Sequence, residues 1–183
     1  MTECRDYLLD SMMLGYVATA KCGGVGLDEK QTQKIIEKLQ SVMQNGNSKM
    51  FISSISVGES EYGLSVAPNS DKTKQAEVRN VIEAFLPGLV LDVNVVVARE
   101  YYAKLRAKLF AIFAPKTDRG LAKKSFIGEW VDPTTQKALG IQENDLWIAS
   151  IAMAHNLTLV SSDKMNNIRQ AAGDELLFEN WSV

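Results

Sequence analysis

One histidine, two cysteines and four prolines are all that 183 residues contain of those types, and each scarcity excludes something. A lone histidine rules out a histidine-pair ribonuclease mechanism. It also argues against a Ser-His-Asp triad, because His155 closes a helical pattern just before Asn156, where a donor serves the helix-terminal carbonyls. Cys4 and Cys22 are too few for a disulfide scaffold and lack the spacing of a zinc site. No run approaches ~18 uninterrupted apolar residues. Glu3, Arg5, Asp6 and Asp10 break the opening segment before it could form the apolar core of a signal peptide. The expectation is a soluble, cytoplasmic protein with no membrane partner. A phosphate-binding G-x-x-x-x-G-K-[ST] segment is also missing, and Gly23-Gly24-Val25-Gly26 does not directly follow a strand.

What is present is enough apolar sequence, 46% of residues, to fill one core, so residues 1–183 read as a single domain. The net charge of -2 conceals an uneven distribution. Arg99, Lys104, Arg106, Lys108, Lys116, Arg119, Lys123 and Lys124 are opposed only by Glu100 and Asp118, a surplus of six positive charges that leaves the remainder at about -8. A basic segment on a mildly acidic body suits contact with phosphates, although such runs also serve as plain solvated helix faces.

Strand-length apolar runs alternate with helical patterns. YLLD (7–10), MFISSI (50–55), LVLD (89–92) and LTLVS (157–161) are each followed by helix-like sequence, which is the mark of a parallel α/β sheet. Ile35, Ile36, Leu39, Val42 and Met43 recur at helical spacing, with Asp28 as N-cap and Asn45-Gly46 as a stop. Further helices are predicted over 71–86, ending at Pro87-Gly88, over 95–113, with the basic residues outward, over 144–155 and over 164–171, before a last strand at 176–178. Between 114 and 143 the periodicity is lost. Pro115, Gly120, Gly128, Pro133 and Gly140 punctuate it, while Phe126, Ile127 and Trp130 argue for a partly ordered insertion.

Four carboxylates stand where strands end or helices begin: Asp10 closes YLLD, Glu59 follows MFISSI, Asp145 opens DLWIASIAMAH, and Asp163 lies two residues past LTLVS. In an open parallel sheet such positions share one edge. Three of the acids also have a capping explanation: Ser56 to Glu59 fits a capping box, Asn144 and Asp145 are natural N-cap or first-turn residues, and Asp163 fits the cap of the next helix. Capping does not require that the capped ends meet. If the acids do converge, their repulsion raises their pKa values unless a cation enters, and an oxygen-only donor set favours Mg²⁺ or Mn²⁺ over zinc. Such an ion stabilises charge on a phosphoryl oxygen and orients in-line attack, which is nuclease chemistry.

The residues resemble the PIN-domain family, particularly the VapC toxins of bacterial toxin-antitoxin pairs. The resemblance is strongest in NDLWIASIAMAHNLTLVSSD (144–163), which looks like the stretch holding the family's third and fourth acids. Leu8-Leu9-Asp10-Ser11 is similar to the first-strand motif, ISSISVGESEYGL (52–64) to the segment placing the second acid at Glu59, and LVLDVNVVVAREYYAKLRAKL (89–109) to the third strand and its helix. The resemblance implies a three-layer α/β/α fold with a five-stranded parallel sheet of order 3-2-1-4-5. It implies RNA cleavage with Mg²⁺ or Mn²⁺ held by Asp10, Glu59, Asp145 and Asp163, supported by Ser11 and Ser161, with Glu61 a secondary choice. A VapB-type antitoxin and a homodimer are implied as partners. Two features depart from the pattern. Met12 stands where asparagine commonly follows the Asp-Thr pair, and the 114–143 insertion is longer than the usual connection. Candidate RNA contacts are Arg106, Lys116, Arg119, Lys123 and Lys124, while Phe126 and Trp130 are candidates for burial against a partner. Rival readings are a PIN nuclease for RNA processing or branched DNA, and a non-catalytic PIN-fold binding module.

Overall fold

Five short apolar segments build one all-parallel sheet in strand order 3-2-1-4-5: β1 Tyr7–Leu9, β2 Met50–Ser53, β3 Val90–Leu91, β4 Thr158–Val160 and β5 Phe178–Glu179. This is the architecture expected from the sequence. The central strand aligns Leu8 with Phe51 and Leu159, and Leu9 with Ile52 and Val160. Leu8, Leu9, Ile52, Leu159 and Val160 are all fully buried, which explains why these strands read as continuous apolar runs rather than alternating ones. The computed structural model describes residues 5–22, 29–44, 46–68, 72–86, 88–114, 126–132 and 134–183. Among them no helix is long and apolar enough to cross a membrane.

The chain forms two compact units. The first comprises Met1–Asp92, Asn156–Lys164 and Leu177–Val183 and contains the sheet. Its helices are α1 Ser11–Cys22, α2 Glu29–Gln44, α3 Ser54–Val66 and α4 Lys72–Phe85. Met13, Leu14 and Val17 of α1, Ile35 and Val42 of α2, and Val81 and Ile82 of α4 close over Leu9, Ile52 and Val160, with Trp181 in the same core. Met43, expected in the apolar stripe of α2, is 70% exposed instead. The second unit comprises Val93–His155 and Met165–Leu176. It holds α5 Ala103–Phe113, α6 Glu143–Ala154 and α7 Asn166–Ala172, with α5 against α7 and α6 against the turn that precedes α5.

Several boundaries differ from the sequence expectation. The strand in MFISSI stops at Ser53 because that residue caps α3: its Oγ accepts the Ser56 N–H at 2.9 Å, so the cap lies three residues before the expected Ser56. The last strand lies at Phe178–Glu179 rather than 176–178. The helix over 95–113 carries a π-helical segment, Val97–Tyr102, in which the Ala103 N–H reaches back to the Ala98 carbonyl. His155 terminates α6 as expected, its N–H bonded to the Ile151 carbonyl at 3.1 Å. Within the 114–143 insertion, Ile127 and Glu129 bound a 3-10 turn, Val131 pairs with Ala138, and Ile127, Trp130 and Ile141 are buried. Trp130, at 2% exposure and packed near the Phe110 ring, has no face left for a partner; Phe126 is exposed. Asp28, Asn45, Pro87 and Pro133, the Gly23–Gly26 run and Cys4 lie outside the described residues.

Candidate active site

The register of the central strands decides where the first acids fall. Leu9 is level with Ile52 on one side and Val160 on the other, so the next residues, Asp10, Ser53 and Ser161, emerge side by side at the carboxyl edge. The chain runs from β1 outward to β2 and β3, then returns to the opposite side of β1 as β4. The gap between β1 and β4 is therefore the switch point where open α/β sheets place ligands. Asp10 stands at that point, its N–H bonded to the Val160 carbonyl at 3.1 Å.

Asp10 is only 4% exposed. Its Oδ1 accepts the Met13 N–H at 2.7 Å, so it does cap the first turn of α1. Yet its pKa is pushed up to about 6. Burial is the largest cause, and the charges of Glu59 and Asp163 add to it, against the lowering effect of hydrogen bonds from Ser161 and the Met13 amide. A residue serving only as a cap would have no reason to sit near two further carboxylates. Glu59 is half-buried in the second turn of α3 and accepts a hydrogen bond from the Ser11 hydroxyl. Asp163 is exposed; its N–H donates to Ser161 Oγ at 3.0 Å, and the N-cap position of α7 belongs to Met165, not to Asp163. The hydroxyls of Ser11 and Ser161 thus tie the cluster together.

Glu61 points elsewhere in the network, held by Arg79 Nη2 at 3.0 Å and Nε at 3.3 Å, which makes it a poor ligand. Met12 is 50% exposed and its sulfur accepts from the Ser162 hydroxyl at 3.7 Å. A thioether therefore stands between the segments bearing Asp10 and Asp163.

Asp145 belongs to the second unit, half-buried in the first turn of α6, whose N-cap is Gln142. Among the described residues, no three His, Cys, Asp or Glu side chains stand close enough as placed to chelate an ion. The first unit accordingly presents an electrostatic cluster rather than a finished coordination shell. Its donor chemistry fits a hard divalent cation: all oxygen, one carboxyl buried, two like charges beside it.

Of the basic residues, Arg106 is not available in the way its sequence position suggested. Its guanidinium is engaged by Glu143 and Tyr102. Lys104 pairs with Glu100 at 2.8 Å and Lys108 with Glu175 at 2.6 Å. Lys116, Arg119, Lys123 and Lys124 lie outside the described residues. Sequence reading missed Tyr102 and Glu143 altogether; the one signal was a glutamate two residues before Asp145, opposite an arginine in the preceding helix.

A PIN-domain family model matches residues 25–173. No curated protein matches the chain in sequence. Among solved structures, VapBC2 from Rickettsia felis bound to a DNA fragment from their promoter is 23% identical, with 96% of this chain and 98% of that one covered at a TM-score of 0.57. VapBC-1 from nontypeable Haemophilus influenzae is 19% identical, with 97% and 99% covered and a TM-score of 0.58. FitAcB from Neisseria gonorrhoeae is 20% identical, with 96% and 97% covered and a TM-score of 0.59.

Proposed function

The chain belongs to the PIN-domain family, and on that footing we propose that it is a cytoplasmic, divalent-metal-dependent endoribonuclease, the toxin of a VapBC-type toxin-antitoxin pair, with residues 1–183 acting as one domain. The observation that carries the reading is Asp10 at the β1–β4 switch point, its carboxyl pKa raised first by burial and further by the charges of Glu59 and Asp163. A cap or a core residue needs no such neighbours, whereas a cation site does.

The acids proposed to hold metal are Asp10 and Glu59 of the first unit, with Asp163 assisting directly or through water, and Asp145 of the second unit. Mg²⁺ or Mn²⁺, when bound, supplies the charge that stabilises the phosphoryl oxygens and activates water for attack. The protein's own part is to hold the donors. Asp10 is fixed by the Met13 amide and Ser161, and Glu59 is oriented by the Ser11 hydroxyl. Ser161 also holds the backbone of Asp163. Lys116, Arg119, Lys123 and Lys124 are the proposed contacts to RNA phosphates, and a homodimer is the proposed assembly.

The proposed seat of the antitoxin is in the first unit. An apolar cavity of about 290 Å³ is lined by Val17 of α1, Ile36, Leu39 and Met43 of α2, and Val81 and Phe85 of α4. Grooves between helices with this lining accept the apolar face of an amphipathic helix. Because Met43 is exposed, Met43→Glu is expected to fold normally, to weaken a VapB-type antitoxin by about tenfold or more, and to leave RNA cleavage intact. Unchanged affinity in a titration would move the antitoxin elsewhere.

The function is tested with purified protein and a mixed RNA substrate. Cleavage is expected with Mn²⁺ or Mg²⁺, leaving a 5′-phosphate and a 3′-hydroxyl, and is expected to stop on chelation. Mn²⁺ binding by calorimetry without cleavage would favour the binding module. Preference for processing precursors or branched DNA, with no growth arrest on expression, would favour the other nuclease reading.

A further inference from the structure

We propose that Tyr102 and Arg106 are positioning residues that clamp the first turn of α6 through Glu143 and Trp147, and so hold in place the backbone that carries Asp145; this rests on the ligand role assigned to Asp145 above. The need for a clamp is local. Gln142, the N-cap of α6, makes no side-chain capping bond, so the end of the helix bearing Asp145 lacks the usual device against fraying. The preceding helix of the same unit supplies a hold of another kind.

Glu143 and Trp147 are four residues apart and share one face of α6, with Asp145 between them in sequence; Tyr102 and Arg106 have the same spacing on the other helix. The two pairs are laid against each other. The Tyr102 and Trp147 rings stack with centroids 3.6 Å apart and planes within 4°. Tyr102 Oη donates to Glu143 Oε1, and Arg106 Nη1 donates both to that oxygen and to Tyr102 Oη. The Arg106 guanidinium also lies 5.7 Å from the Tyr102 ring centroid. One carboxylate oxygen thus receives two donors while the residue one turn later is held by its ring.

The π-helical segment Val97–Tyr102 ends on Tyr102. Its wider turn resets the register of every residue after it, and such turns recur at functional sites because they are retained in spite of poorer hydrogen bonding. The clamp is not a device for global stability, since Arg106 and Glu143 side chains remain 36% and 40% exposed and pairs of that exposure contribute little to folding. It also withdraws Arg106 from phosphate binding, because its charge already faces a carboxylate.

The test compares full-length wild type, Arg106→Ala, Arg106→Lys and Tyr102→Leu. Amide exchange is read at Leu146, whose N–H bonds the Gln142 carbonyl at 3.3 Å in that first turn. The alanine and leucine variants are expected to exchange there about tenfold faster, with the rest of α6 unchanged, and lysine to restore part of the protection. Their midpoint for Mn²⁺ should rise several-fold, with KM for RNA unchanged and kcat recovered at saturating Mn²⁺. Wild-type exchange and an unaltered Mn²⁺ midpoint in a folded Arg106→Ala protein would overturn the proposal. Absence of Mn²⁺ binding by the wild type would instead remove the ligand assignment, and the exchange rates would still decide whether the clamp orders α6.

Discussion

Replacing Asp10 by Asn is expected to raise the thermal stability of the metal-free protein at about pH 7.5 while abolishing metal-dependent cleavage. The stability gain follows from the direction of its pKa shift. In the unfolded chain this carboxyl titrates near 3.8, and in the native state near 6. The native state therefore holds the proton more tightly, and its advantage is complete below 3.8 and is lost as pH rises to about 6. Above that range the buried, repelled charge costs on the order of 3 kcal/mol, from about 1.36 kcal/mol per pKa unit. Asparagine keeps the shape and can still accept the Met13 N–H, but carries no charge for burial or for Glu59 and Asp163 to oppose. The expected gain is up to roughly 6–12 °C in Tm at neutral pH, shrinking toward zero near pH 4. Wild type should gain more from Mn²⁺ at about pH 7.5 than at about pH 5, because the ion binds the ionised form, and the asparagine variant should gain little at either. A lower Tm for the variant at neutral pH, measured by calorimetry, would contradict this account of the site.

Asp145→Asn is expected to show the opposite balance, with catalysis lost and stability unchanged. Asp145 is half-buried near the start of α6, where asparagine is tolerated and the clamp through Glu143 and Trp147 remains. Tm should stay within about 2 °C of wild type. Removing one charged oxygen donor forfeits several kcal/mol of charge stabilisation, so the cleavage rate should fall by on the order of a thousandfold. Excess Mn²⁺ should not recover it, in contrast to Arg106→Ala, which leaves the carboxylate in place. Near-wild-type cleavage by Asp145→Asn would require the fold to use a different set of acids.

How much of this was readable before the fold was known differs from residue to residue. β1, β2 and β4 were visible because strands buried on both faces are written as unbroken apolar runs, and α2 and α4 because one-sided burial imprints a helical period. Asp10, Glu59 and Asp163 could be nominated because each follows a strand, but Glu59 and Asp163 also had an adequate capping explanation. Only the structure separates the two readings. Ser53, not Ser56, caps α3, and Met165 occupies the N-cap of α7, which leaves Glu59 and Asp163 without that duty, whereas Asp10 caps and clusters at once.

The sequence by itself determined the alternation of strands and helices, the family, and the supply of acids at element ends, because these depend on local periodicity and on short motifs. Tertiary structure decided which charges meet. Strand order brings Asp10 beside Ser161, with Glu59 and Asp163 acting on its charge, and packing within the second unit turns Arg106 from an apparent phosphate contact into a partner of Glu143. Electrostatic interaction depends on distance in space, which sequence separation does not report: Ser11 and the glutamate it holds are 48 positions apart, and Arg106 and its own are 37 apart.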